Sequence, residues 1–218
     1  MSPVSNAPRG RPARLTRAAT VESALELLDE VGIDALTMRR LADRLGVQAG
    51  ALYRHFATKQ DLLTAMADQI LGTVTAPGPD EVWSAQLLHL ARSMRQALLA
   101  RRDGARVYGG THSSGPHTLA LAEATVSALR TAGFDDADAA RALFTVTNFV
   151  LGNTLEEQAA QPDGAGRPAG AALVRDAVLQ GGFPHLKAVL PELTGADLAD
   201  YFEFGLNVVV SGLRATRE

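Results

Sequence analysis

Residues 36–56 read LTMRRLADRLGVQAGALYRHF, and the spacing of this stretch decides how the rest of the chain is understood. The Thr37 hydroxyl is placed to cap a short helix in which Met38, Leu41, Ala42 and Leu45 share one face. Arg39, Arg40, Asp43 and Arg44 then point outward. Gly46 ends that helix, because glycine adopts the left-handed conformation of a sharp turn without steric cost. Val47 packs inward from the turn, and a second helix starts at about Gln48. Its outer surface is thin (Gln48, Ala49, Gly50, Ala51, Tyr53, His55), while Leu52 and Phe56 anchor it. Two short helices crossing at a wide angle, the second with small and hydrogen-bonding groups, are suited to the major groove of DNA.

Composition is consistent with a two-part molecule. The chain has 218 residues, of which 46% are hydrophobic, enough for a substantial core. It contains no cysteine, which removes disulfides, thiolate metal sites and a cysteine nucleophile. No apolar run approaches membrane-spanning length, and the Pro-, Ser- and Arg-rich start lacks the apolar core of a signal peptide. A cytoplasmic location is expected, with no membrane partner. The net charge of −3 hides an asymmetry: residues 1–60 hold nine Lys+Arg against six Asp+Glu, and residues 61–218 hold twelve against eighteen. A basic part that meets phosphate, joined to an acidic part with another task, follows from that division.

In chain order, residues 1–13 form a flexible basic arm, with Arg9, Arg11 and Arg14 placed to reach along a groove or the backbone. Residues 14–60 are the helix-turn-helix DNA-binding domain, whose first helix is capped by Thr16, carries Val21, Leu25 and Leu28 inward, and ends at Gly32. Thr58 caps a connecting helix over 61–76, and Pro77, Gly78 and Pro79 break the pattern. Residues 80–218 are the larger helical domain. A helix from Glu81 to Arg101 carries Val82, Leu87, Leu90, Met94 and Leu98, then a short segment reaches Tyr108 and a loop spans 109–116. Further helices run from His117 to Thr131 and from Asp135 to Ala160. Residues 161–170 read as a flexible loop and 171–180 as a modest helix. The last helix, Ala196 to Arg214, aligns Ala199, Phe202, Leu206, Val209, Val210 and Leu213 in a stripe wide enough for a partner chain. No strand-like alternation occurs, so the fold class is all-α. Arg101, Arg102, Asp103 and Arg106 read as a solvated, mutually paired hinge between the two parts.

With these residues in place, the chain resembles the TetR family of bacterial repressors from about Arg14 to Arg214. The match is LTMRRLADRLGVQAGALYRHFATKQDLL in the amino-terminal part. In the other part, LLARRDGARVYGGT at 98–111, FVLGNTLEEQ at 149–158 and FEFGLNVVVSGL at 202–213 resemble the tetracycline-repressor-like subgroup. The resemblance implies a homodimer built through the last two long helices, a double-stranded DNA operator, and a small-molecule effector in each larger domain. Effector binding would move the fourth helix and separate the reading heads. The DNA contacts it implies are Thr37, Arg39, Gln48, Ala49, Ala51, Tyr53, His55 and Lys59. Gln48 is suited to a base edge, Ala49 and Ala51 to a thymine methyl, and Thr37, Tyr53 and Lys59 to phosphate oxygens.

The effector site implied by the resemblance comprises Leu90, Met94, Tyr108, Thr111, His112, Phe144, Asn148, Leu151 and Glu156. Tyr108 stands where the subgroup has a metal-binding histidine, and a neutral phenol is a poor ligand for a hard cation. The reading is therefore a largely apolar effector with no metal site and no cofactor. His112 and His117 are separated by glycine and proline and do not form a metal pair. Two other functions fit these residues less well. A hydrolase would need Ser113 or Ser114 beside His112, but this Gly-rich loop lacks the strand-turn-helix setting of such nucleophiles. A ligand-independent DNA-binding protein would not need so large an apolar second domain. The expectation is a regulator with no catalytic residues.

Overall fold

The computed structural model describes residues 15–160, 166–195 and 197–216, and the arm at 1–13, together with Arg14, lies outside them. The helices are α1 (Arg17–Ala35), α2 (Met38–Leu45), α3 (Ala49–Tyr53), α4 (Lys59–Leu71), α5 (Trp83–Leu99) and α6 (Gly104–Gly109). They continue as α7 (Pro116–Thr131), α8 (Asp136–Ala159), α9 (Gly166–Gln180), α10 (Pro184–Ala188), α11 (Leu190–Gly195) and α12 (Leu198–Ala215). Among the described residues there is no strand, and the all-α expectation holds.

Side-chain oxygens set several of the starts. Thr16 accepts from Ala19 N at 3.1 Å and Thr37 from Arg40 N at 3.2 Å. Thr58 and Asp61 form a reciprocal capping box at 3.0 and 2.9 Å, and Asp135 accepts from Asp138 N at 2.7 Å. Each such cap stabilises its helix by about 1 kcal/mol. Gly46 takes φ 65° and ψ 30°, the left-handed turn the reading required. At Gly32 the helical backbone breaks as expected, at φ 76° and ψ 168°, and one further turn follows to Ala35. The start of α7 is capped from outside its own sequence. Its N-cap residue, Gly115, has no side chain to offer, and Asp68 on α4 accepts instead from Thr118 N at 2.9 Å and Thr118 Oγ1 at 3.0 Å.

The amino-terminal helices close over Leu25, Leu28, Leu41, Leu52, Phe56 and Leu62, each no more than 1% exposed. Burying one such side chain is worth about 1.5–3 kcal/mol. In the larger part α8 packs on α5, α7 and α12, and Leu87, Leu98, Leu129, Val150, Phe202 and Leu206 are fully buried there. A half-withdrawn ion pair, Arg95 to Glu157 at 2.7 Å, joins α5 to α8, and the Arg95 guanidinium lies 4.9 Å from the centre of the Phe202 ring.

The structure differs from the sequence reading at four places. The connecting helix ends at Leu71 rather than continuing to 76, and α5 begins at Trp83, leaving Val82 67% exposed at its start. Helix α9 begins at Gly166, inside the segment read as a loop; proline is tolerated in a first helical turn, where its missing N–H has no partner to lose. Residues 161–165 lie outside the described set. On α12 the stripe read as a partner surface turns inward: Phe202, Leu206 and Val210 are buried against the same chain. The exposed apolar face is a different one, Tyr201, Phe204 and Val208, with Phe204 72% exposed. A helix apolar on nearly all sides does not reveal by periodicity which side faces its own core.

Arg92 grips Glu203 in a two-pronged pair between α5 and α12, with contacts of 2.6 to 3.1 Å. That hydrogen bonding, more than charge alone, holds the Glu203 carboxyl below its usual range. A depressed carboxyl contributes stability above its unfolded pKa and loses it as pH falls through the folded value. Glu203→Gln is thus expected to be slightly less stable than the parent at neutral pH and to converge with it in acid, because the pair is solvent-screened. Urea unfolding at a series of pH values checks this; a difference independent of pH would contradict it.

Candidate nucleic-acid interface

Helix α3 owes its position to two side chains: Leu52 and Phe56 are buried beneath it. What remains outside is largely the surface expected. Gln48 occupies the N-cap position with no side-chain capping bond and is exposed, as is Gly50, around which no atom would meet an added Cβ within 4 Å. Tyr53 is 50% exposed. Ala49, Ala51 and His55 are half-buried, while Thr37 and Arg39 at the start of α2 are exposed. A backbone surface with so little bulk leaves room for close approach by a base edge, and the exposed Tyr53, Thr37 and Arg39 side chains carry donors of the kind that phosphate oxygens accept from.

Two of the expected contacts are also tied into the fold. The His55 carbonyl accepts from the Arg17 guanidinium at 2.9 Å, and that guanidinium sits 4.5 Å from the centre of the Phe56 ring. The Lys59 ammonium lies 3.4 Å from the Ile33 carbonyl. Arg44 is not free to meet DNA as an outward arginine: it is paired with Glu26 and Glu30 of α1 at 2.9 and 2.7 Å. Sequence reasoning passed over Arg17 and Arg54. Arg54 is an exposed cation directly after Tyr53 at the end of α3, and its adjacency to the reading helix was the available signal.

The second element of the site is the junction that ties α1 to the larger part. Arg101 pairs with Asp29 at 2.7 Å and reaches Glu22 at 3.4 Å. Arg106 pairs with Asp34 at 3.0 Å and with Asp103 at 3.1 Å. These bonds hold the Asp34 carboxyl below its usual range and raise both guanidinium pKa values. Between them Asp103 accepts from the Ile33 N–H at 2.8 Å, directly after the Gly32 kink. Within the arginine cluster Arg106 pairs with Asp103, and the further carboxylate partners of Arg101 and Arg106, namely Glu22, Asp29 and Asp34, lie on α1, so the cluster is bonded across to α1 as well as within itself. From the far side, Gln158 of α8 accepts from Ala105 N at 2.9 Å and donates to the Leu98 and Arg101 carbonyls at 3.0 and 2.8 Å. One side chain thus serves both the end of α5 and the start of α6, linking the interior of the larger part to the junction.

The expected effector residues have different settings in the single chain. Leu90 and Met94 are buried, at 3% and 2% exposure, and Tyr108 and Leu151 pack partly buried against the same core. Thr111 is half-buried, its hydroxyl donating to the Tyr108 carbonyl at 3.0 Å. His112 and Asn148 are exposed, and Phe144 is 66% exposed. Both 144 and 148 thus lie on the outer side of α8. Glu156 lines a 360 Å³ cleft between α8, α9, α11 and α12. Burial pushes the Tyr108 hydroxyl pKa up, which keeps it a neutral phenol and further weakens it as a metal ligand. The hydrolase arrangement is not formed: Ser113 Oγ is hydrogen-bonded with Thr118 Oγ1 at 2.8 Å, and among the described residues no hydrogen bond joins His112 to either serine. Among the described residues no helix is long and apolar enough to cross a membrane.

Comparison with known proteins agrees with this geometry. Residues 21–66 match the family described as bacterial regulatory proteins, tetR family, and residues 76–217 match the tetracyclin repressor-like C-terminal domain. The chain is 44% identical over 207 residues to the class A tetracycline repressor from transposon 1721 of Escherichia coli, covering 94% of this chain and 93% of that one. A possible TetR family transcriptional regulator of Streptomyces coelicolor A3(2) is 56% identical and superposes with a TM-score of 0.84 over 92% of this chain and 100% of that one. ActR of Streptomyces coelicolor in complex with actinorhodin is 33% identical, with a TM-score of 0.85 over 94% and 99% of the two chains. On these matches the chain belongs to the tetR family of bacterial regulatory proteins.

Proposed function

We propose that the protein is a ligand-responsive transcriptional repressor that binds a palindromic operator as a homodimer and is released by a small, largely apolar molecule. The observation that carries this reading is the bond between Asp103 and the Ile33 N–H within the arginine junction, which gives the larger domain a direct hold on the reading domain. The class A tetracycline repressor and the actinorhodin complex of ActR are relatives consistent with release by a bound molecule. Burial of Leu90, Met94 and Leu151 and the neutral phenol of Tyr108 favour an apolar, non-chelating effector. In this proposal Thr111, His112 and Glu156 supply its polar contacts. Phe144 joins Tyr201, Phe204 and Val208 in the face through which α8 and α12 meet a second copy. Release requires that the effector bind the arrangement unable to hold DNA more tightly than the other, since equal affinity shifts nothing.

Selection of binding sites from random-sequence DNA, followed by salt titration, tests the reading. A palindrome with half-sites about 34–36 Å apart is expected, with affinity falling steeply as salt rises. Weak, sequence-blind binding by a ligand-free preparation would end it. Within that assay Tyr53→Ala is expected to weaken operator binding by about tenfold, the worth of one hydrogen bond to a charged oxygen. Its thermal stability should be unchanged because the ring is half exposed. Operator affinity equal to the parent's would remove Tyr53 from the interface.

A further inference from the structure

A cleft of 490 Å³ lies where α1, α4 and the loop before α7 meet; none of the effector residues named above lines it, and of the residues named at the nucleic-acid interface Arg17 alone does. Its volume falls in the range of about 300–1,000 Å³ typical of small-molecule sites. At its wall stands Asp68, only 9% exposed, whose described hydrogen bonds, from Thr118 N and Thr118 Oγ1, both fall on Oδ1. Beside it the Ser113 hydroxyl lies 2.8 Å from Thr118 Oγ1; because the single Thr118 hydroxyl proton goes to Asp68 Oδ1, Ser113 is the donor in that bond. Ala18, Val21 and Ala65 supply apolar wall, and Arg17 stands at the rim.

We propose that this cleft binds a small amphipathic amine, with its ammonium on the Asp68 carboxylate and its apolar body against Ala18, Val21 and Ala65. A carboxylate withdrawn from water gains most from a charged donor, because charge-assisted bonds are about twice as strong as neutral ones. An ammonium needs one such group, whereas a hard divalent cation needs six or more oxygens, and among the described residues Asp68 is the only acidic side chain on this wall. The Arg17 guanidinium disfavours a second positive charge and is suited to a carbonyl or hydroxyl elsewhere on the same ligand. Since α1 belongs to the reading domain and the 113–116 loop to the larger one, the occupant touches both.

The test uses the full chain with carbon-13-labelled alanine methyls and tryptamine as the probe, with its neutral isostere tryptophol alongside. Saturable shifts at Ala18 and Ala65 with tryptamine are expected, and binding of tryptophol weaker by at least about tenfold. Asp68→Asn keeps an oxygen for Thr118 but loses the charge, and should weaken tryptamine by a similar factor while the Thr118 amide stays protected from exchange. Ala18→Leu fills the cleft from an exposed position on α1, where folding is not at stake, and should abolish the shift at Ala65. The proposal is overturned if tryptamine gives no saturable shift at either alanine, if tryptophol binds as well, or if Ala18→Leu leaves binding intact. Operator binding is not read in this experiment, so its outcome is separate from that of the repressor assignment.

Discussion

Gly104→Ala is expected to lower the free energy of unfolding by more than about 3 kcal/mol, since overpacking of this kind cannot be relieved by rotating a side chain. A Cβ built at this buried position would stand 2.2 Å from the Leu98 carbonyl oxygen and 3.2 Å from its carbon, both backbone atoms. The Leu98 carbonyl is itself held by the Gln158 amide, so moving it breaks the joint between α5 and α8. Urea unfolding measures the loss, and Gly109→Ala is the matched control. There the added methyl would meet the Leu151 side chain at 3.4 Å, an ordinary contact, and a change within about 1 kcal/mol is expected. Equal effects of the two substitutions would show that the close approach at Gly104 is not what limits the junction.

Asp103→Ala is expected to cost about 2–4 kcal/mol, combining a left-handed backbone that alanine disfavours with the loss of a charge-assisted bond. Asp103 has φ 55°, the only positive value at a non-glycine among the described residues. Its two carboxylate oxygens are divided between the reading domain, at Ile33 N, and Arg106. Asp103→Asn tolerates the same backbone and keeps an acceptor for Ile33, so it should lose less. Hydrogen exchange at the Ile33 amide, alongside the unfolding midpoint, locates the effect. An Ile33 amide as protected in Asp103→Ala as in the parent would refute the role given to this carboxylate.

The local features were readable from sequence because their causes are local. Thr37, Gly46, Leu52 and Phe56 lie within one stretch, and each follows from helical spacing or from the turn. The capping box at Thr58 and Asp61 was readable for the same reason. The arginine junction was readable only in kind. Its partners Asp29 and Asp34 lie more than seventy residues away, and charge alone does not choose among the many exposed acids. Where the reading depended on the rotation of a helix about its own axis, it went astray. Phe144 and Asn148 face out from α8, and the α12 stripe turned inward, because both helices are apolar on more than one side. Asp68 was missed for a further reason: its role depends on α7 starting at a glycine, with no cap of its own.

That last arrangement has a consequence in time. A helix capped by its own sequence forms its first turn in isolation, whereas the first turn of α7 awaits a carboxylate fifty residues earlier in the chain. Bonds of that separation are made after the intervening loop closes, so the Asp68 contact belongs to the late side of the folding barrier. Asp68→Ala should therefore accelerate unfolding while leaving the refolding rate nearly unchanged, an asymmetry that stopped-flow kinetics would register and that a variant at the Thr58 cap, whose partner is three residues away, should not share.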